Sequence, residues 1–309
     1  MITLYPKPTF TSKPTINTPA FARRSKVKAS EQMTPQQAKI EASRIASGGM
    51  SPRTWRTLDL LATGGVLSTR WLPPLANRTM REWCDLRLFE RLSLDGAEIQ
   101  THFSEMGLNE KKPVLYTLGP VGVELATTRH YVAPPGGYQA YTPMRVMHDI
   151  ATNEIILRLA DEIGTRGWVV DWLGKYEGTL TDKSGKYNLL EPDGLIRFRK
   201  DGYERAFLLE YHNEDKQSRA ALKVEKYEKA FSEGNWREQW EVETFPPVLV
   251  VFQKAIVGAG YQSATSAKKL NCAYYGKTLK AILEGKLDDW KNINKDKREN
   301  ILPKAEAAQ

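Results

Sequence analysis

The sequence predicts an α+β protein in two parts. A helical N-terminal part is closed by a pair of short strands, and a C-terminal part is built on a mixed sheet flanked by helices. Three observations predict this. Apolar residues recur at helical spacing through 52–92, punctuated by Gly64-Gly65 and Pro73-Pro74. Two extended runs, Leu195–Phe198 and Arg205–His212, flank the turn Lys200-Asp201-Gly202, and Asp-Gly between apolar runs marks a hairpin. A nearly continuous apolar run, PVLVVFQ at 247–253, suits a strand covered by helices on both faces.

The chain has 309 residues, 41% of them hydrophobic and 27% charged, which is ordinary for a globular protein of about two domains. A formal net charge of +8 points to an anionic partner. The excess is concentrated at one end: residues 1–50 hold eight Lys/Arg and two Asp/Glu, a net +6. Residues 1–30, with Arg23-Arg24, Lys26 and Lys28, lack apolar periodicity. They read as a flexible basic arm within 1–50, of the kind that contacts phosphates without reading sequence. A short helix is expected at 34–47. No run of eighteen apolar residues occurs, so no membrane span is expected. The opening MITLYPKPTF lacks the apolar core of a secretory signal. Cys84 and Cys272, far apart in sequence, form neither a disulfide framework nor a zinc site and suit the cytoplasm.

Residues 51–130 form the first domain. Ser51-Pro52 joins a capping hydroxyl to a proline at the first helical position. Trp55, Leu58, Leu61 and Ala62 share a face, and Gly64-Gly65 ends the helix. A second helix is expected at Leu67–Leu75 and a third at Asn77–Leu92, with Met80, Cys84 and Leu88 facing the core. Leu92–Leu94 and Val114–Leu118 are the strands around a polar loop, 95–112, and Val121–Thr128 is a closing helix. Three helices, a strand, a loop and a returning strand make a winged helix-turn-helix. Asn77, Arg78 and Arg81, near the start of the third helix, are the candidates for double-stranded DNA, and Lys111 and Lys112 would lie near its backbone. Glu82, Asp85 and Glu90 in the same stretch weaken a basic reading surface, so protein contacts remain an alternative use of this domain.

Residues 131–143, rich in Pro, Gly and aromatics, read as a linker. The α/β domain is expected over 144–285. It comprises a helix at Met144–Ile163, a strand at Gly167–Leu173, a polar loop at 177–187, the hairpin, a lysine-rich helix and the apolar strand. Two short helices, Ser263–Tyr274 and Thr278–Leu283, follow. Residues 286–309 read as a polar tail that frays. A mixed sheet covered by helices is the layer solution for that order.

Side chains on a strand alternate faces. Glu210 and His212 therefore share a face with Ala206 and Leu208, with their Cα atoms about 7 Å apart. If the runs pair, Asp193 lies near Glu210. Two carboxylates and an imidazole on one face make a site for a hard divalent cation, Mg²⁺. An ordinary hairpin with solvated acids at its rim is the alternative. On the next helix, Lys216, Arg219, Lys223 and Lys226 form a basic stripe beside an apolar one of Ala220, Val224, Tyr227 and Phe231. Lys223 borders both stripes and can reach back to the site; Lys216, Arg219 and Lys226 are candidates for DNA.

Pro192-Asp193, a hairpin of about twenty residues and Glu210-x-His212 resemble the PD-(D/E)xK nuclease core, with His212 where that core has lysine. The resemblance implies Asp193 and Glu210 as metal ligands, Glu154 on the preceding helix as a further acid, and His212 or Lys223 in the lysine's place. The whole chain resembles the replication-relaxation family over about 50–255. The likeness rests on Arg53–Leu61, LRLFERL at 86–92, LYTLGPVGVEL at 115–125, and the PD…LLEYH…K…Y block from Pro192 to Tyr227. It implies a DNA-associated protein acting in replication, relaxation or transfer of plasmids or mobile elements. The family does not keep the acid-x-Lys triplet, so loss of nuclease activity stays open.

Three functions follow. One is a non-catalytic DNA-binding accessory protein, which needs the fewest intact parts. The second is a Mg²⁺-dependent endonuclease or nickase using Asp193, Glu210, and His212 or Lys223. The third is a module that recruits a relaxase or replication initiator, using Tyr138, Tyr141, Trp236 and Trp240 as an exposed aromatic face. A homodimer is compatible with each.

Overall fold

The computed structural model describes residues 33–92, 101, 103–104, 114–131, 134, 136–138, 141–213, 218–266 and 269–303. They divide into two compact units, one ending at Asn153 and one beginning at Glu154. Lys111, Lys112, Lys216 and most of the basic arm lie outside the described residues.

The N-terminal unit opens with α1 (Pro35–Gly48), capped by a reciprocal pair of hydrogen bonds between Thr34 and Gln37. Helix α2 (Pro52–Gly64) begins at Ser51, whose hydroxyl accepts from the Thr54 amide, and ends at Gly65 with φ +73°. The expected helix at 67–75 is absent. Val66–Ser68 forms strand β1 instead, followed by a turn and Pro73-Pro74. The stretch is too short and too proline-limited for a helix once its first three residues pair with another strand. Helix α3 (Asn77–Asp85) is shorter than expected, because Arg87 adopts φ +57° and Phe89–Leu92 forms β2. Strand β3 (Leu115–Leu118) lies between the other two, giving the antiparallel order β1-β3-β2. Helix α4 (Pro120–His130) follows. Gly119 and Gly122 let its start sit on the preceding turn. A Cβ at either would lie 2.1 Å from a carbonyl oxygen, of Arg87 and Leu88 respectively.

Helix α5 (Pro143–Thr165) contains the division between the units. Tyr138, from the expected linker, is buried beside Gly65 and donates to Asp149 at 2.9 Å. Trp236 and Trp240 are buried as well. Tyr141 is half-buried against Tyr138, while the other three rings fill cores and both indoles donate to backbone carbonyls, so the four do not make an exposed aromatic face.

In the C-terminal unit, β4 (Val169–Gly174), β7 (Gly194–Lys200) and β8 (Tyr203–His212) form an antiparallel meander. A small side ribbon pairs β5 (Leu180–Thr181) with β6 (Asn188–Leu190). Helix α6 (Ser218–Glu233) and α7 (Trp236–Trp240) lead to β9 (Val248–Phe252), which runs parallel to β8. Helix α8 (Ala255–Ser266) leads to β10 (Tyr274–Thr278), parallel to β9. The helix expected at Ser263–Tyr274 is thus the end of α8 and the start of β10, with residues 267–268 outside the described residues. The short helix α9 (Leu279–Leu283) is present. The expected polar tail is instead β11 (Trp290–Asn292) and β12 (Lys297–Glu299), which extend the sheet to β12-β11-β10-β9-β8-β7-β4. Trp290, fully buried, anchors them, a pull that a window of charged residues conceals.

The core cluster includes Leu208 and Val250 from the sheet and Val224, Tyr227, Val257 and Tyr261 from α6 and α8. These two helices cover one face of the sheet. Gly194 pairs with Leu209 on the other face, where a Cβ would lie 2.4 Å from Ile156 Cδ1. The part of helix α5 that belongs to this unit, from Glu154 on, therefore covers that opposite face.

Candidate functional site

The β7–β8 register sets Gly194 opposite Leu209. One residue further, Asp193 and Glu210 fall opposite each other at the end of the hairpin. The Asp193 amide donates to Leu209 O at 3.0 Å, and the Asp193 carboxylate accepts from the Tyr211 amide at 2.8 Å. Strand alternation turns Glu210 and His212 toward α6 and α8. Both are buried, at 1% and 5% exposure. The reading of acids solvated at a hairpin rim is thereby excluded.

A buried carboxylate needs partners. Glu210 finds them on α6. Lys223 Nζ lies 2.6 Å from Oε2, and the Tyr227 hydroxyl donates to Oε1 at 2.7 Å. The lysine and tyrosine are four residues apart on one helical face, and Val224 and Ala220 anchor that helix in the core. His212 Nε2 lies 2.9 Å from the Tyr261 hydroxyl on α8. Of the residues expected at the site, Asp193, Glu210, His212 and Lys223 are thus placed on one side of the sheet near the hairpin end.

The electrostatics follow the geometry. Burial raises the Glu210 pKa to about 7, with Lys223 opposing the rise and Asp193 adding to it. Burial also works against the Lys223 ammonium. The carboxylates of Glu210, Asp193 and Glu191 outweigh it, and the Lys223 pKa rises. Burial and the adjacent Glu210 raise the Tyr227 phenol well above its usual range, so it stays a hydrogen-bond donor.

Glu154 is not brought into this group. It lies on α5, which covers the other face of the sheet, and it pairs with Arg158 at 3.3 Å. Among the described residues no three His, Cys, Asp or Glu side chains gather as a metal-ion cluster. The remaining donors do not fit Mg²⁺ as arranged. Glu210 already accepts from Lys223 on one oxygen and from Tyr227 on the other, and Asp193 accepts from a backbone amide. A hard cation approaching Glu210 Oε2 would have to compete with the lysine for it.

Tyr227 was legible only as a member of an apolar stripe, though a buried tyrosine hydroxyl needs a partner and Lys223 stands one turn before it. Tyr261 carried no sequence signal. Arg197 was also missed. It is buried, pairs with Asp171 and with Glu241 at 2.9 Å, and donates to Trp240 O at 3.1 Å. Of the DNA candidates, Arg219 and Lys226 are exposed on α6, and Asn77, Arg78 and Arg81 are exposed on α3. Arg78 pairs with Glu82 at 2.9 Å on the surface.

No helix of the described residues is long and apolar enough to cross a membrane. Neither curated proteins nor solved structures give a significant match to the chain. The replication-relaxation family model matches residues 58–245. That span takes in β1–β3 and α4, the hairpin and the Glu210–Lys223–Tyr227 group. It is well over half of the 309 residues, and the chain belongs to the replication-relaxation family.

Proposed function

We propose that this protein is a DNA-binding accessory factor in replication or relaxation of a plasmid or other mobile element, with a nuclease-like half that serves as a scaffold. One observation carries the DNA-binding reading: helix α2, strand β1, helix α3 and a β2–β3 hairpin, with β3 central in the sheet. That order and pairing support a winged-helix reading, in which a turn takes the place of the expected second helix. Helix α3 then takes the groove-facing position, and its exposed Asn77, Arg78 and Arg81 contact phosphates or base edges. Membership of the family supports the biological setting.

The scaffold reading is supported by the engagement of Glu210 with Lys223 and Tyr227. The convergence of Asp193, Glu210 and Lys223 favours a second reading, a metal-dependent endonuclease that would hold Mg²⁺ on the two acids.

One experiment addresses both. Purified protein is incubated with supercoiled plasmid in Mg²⁺, and its binding to duplex DNA is followed by gel shift across a salt series. The expected result is intact plasmid and binding that weakens steeply with salt. Arg78→Ala and Arg81→Ala should each lower affinity and reduce the magnitude of the salt slope by about one. Nicked product lost in Asp193→Ala would establish the nuclease instead. Salt-independent binding, or binding unchanged in both arginine variants, would remove α3 from the interface.

A further inference from the structure

We propose that Lys223 is the resident cation of the Asp193–Glu210 pair, a tethered ammonium that occupies the place of a divalent metal ion and excludes it. The inference rests on the scaffold reading of this half of the molecule and assigns it a cause.

The geometry is that of a filled site. Lys223 Nζ sits 2.6 Å from Glu210 Oε2, and Tyr227 takes the other oxygen. Asp193 faces the same group from the first strand and is itself held by the Tyr211 amide. The carboxylates of Glu210, Asp193 and Glu191 all act on the one ammonium. Glu210 is 1% exposed, whereas the Lys223 side chain is 29% exposed. The ammonium therefore joins a fully buried acid to a side chain that is partly open to solvent. The helix carrying it is fixed by buried Ala220, Val224, Tyr227 and Ala230. A group tethered in this way competes as though present at millimolar concentration or more. Mg²⁺ dehydrates reluctantly and must shed water to compete. With the ammonium removed, the acids are left facing each other in a buried site without a fixed positive charge, and a cation from solution is the available remedy.

The test uses the full-length chain and reads thermal unfolding by tryptophan fluorescence, together with Mn²⁺ binding by electron paramagnetic resonance. Wild type, Glu210→Gln, Lys223→Met, Lys223→Gln and Lys223→Met/Glu210→Gln are compared in chelator and in millimolar Mn²⁺. Wild type should bind no Mn²⁺ and keep its melting temperature. The single lysine variants should melt lower in chelator, bind Mn²⁺ and recover several degrees with it. The double variant should lose the response to Mn²⁺. Mn²⁺ bound by wild type and lost in Glu210→Gln would overturn the inference, as would lysine variants that fold and ignore the metal. If neither lysine variant folds, the wild-type titration decides alone. Plasmid cleavage by wild type would sink the scaffold reading as well, whereas Mn²⁺ binding without cleavage would sink only this inference.

Discussion

Glu210 shows how one residue's surroundings set its chemistry. Its pKa rises from 4.5 to about 7, chiefly through burial. Between those values the native protein holds a proton that the unfolded chain releases. Stability contributed by this group is therefore present below about pH 4.5 and lost as pH rises toward 7, with a steepest slope of about 1.4 kcal/mol per pH unit. Glu210→Gln keeps the shape and removes the titration. Denaturant unfolding of the two proteins from pH 5 to pH 8 should show the slope in wild type and its flattening in the variant. Equal slopes would mean that Glu210 keeps an ordinary carboxylate pKa. Asp193, Glu210 and the reach of Lys223 were all legible from strand alternation and helical spacing, because those are local periodicities. The partner of His212 was not, since Tyr261 arrives from a helix some fifty residues later.

At the scale of elements, the strongest local signals held. Ser51-Pro52, Gly64-Gly65 and the Asp-Gly hairpin all mark real boundaries. The errors came where a short segment was claimed by a strand partner. Val66–Ser68 and Phe89–Leu92 have apolar residues that suit a helix as well as a strand, and β3 decides between them by pairing with both. The LGPVG segment explains itself in the same frame. Gly122 permits α4 to rest on the Leu88 carbonyl, where a Cβ would lie at 2.1 Å. Gly122→Ala should cost about 1–3 kcal/mol or more by overpacking, measured by urea unfolding. A neutral result would show that α4 can move away without loss.

For the molecule as a whole, the sheet extends beyond the segment matched by the family model. Trp290 on β11 is fully buried, and its indole donates to Leu287 O at 2.7 Å. The Lys277 ammonium on β10 bonds the Lys286 and Asp288 carbonyls and lies over the Trp290 ring. Trp290→Ala should therefore cost about 3–5 kcal/mol, and a chain truncated after Gly285 should lose cooperative unfolding of the sheet. A truncated chain with the wild-type melting temperature would return residues 286–303 to the status of a tail.

The sequence by itself determined the α+β class, the hairpin with its acids, the covered strand at 248–252 and the helix that carries Lys223. Each is written in periodicity or turn chemistry within about twenty residues. Only the tertiary structure decided that Glu210 is satisfied by Lys223 and Tyr227 rather than left open, that Glu154 stands on the other face of the sheet, and that the last thirty residues add two strands. Those outcomes depend on which face each helix covers and which edge each strand joins. Pairing at long range is settled by burial across the whole core, and no local window contains it.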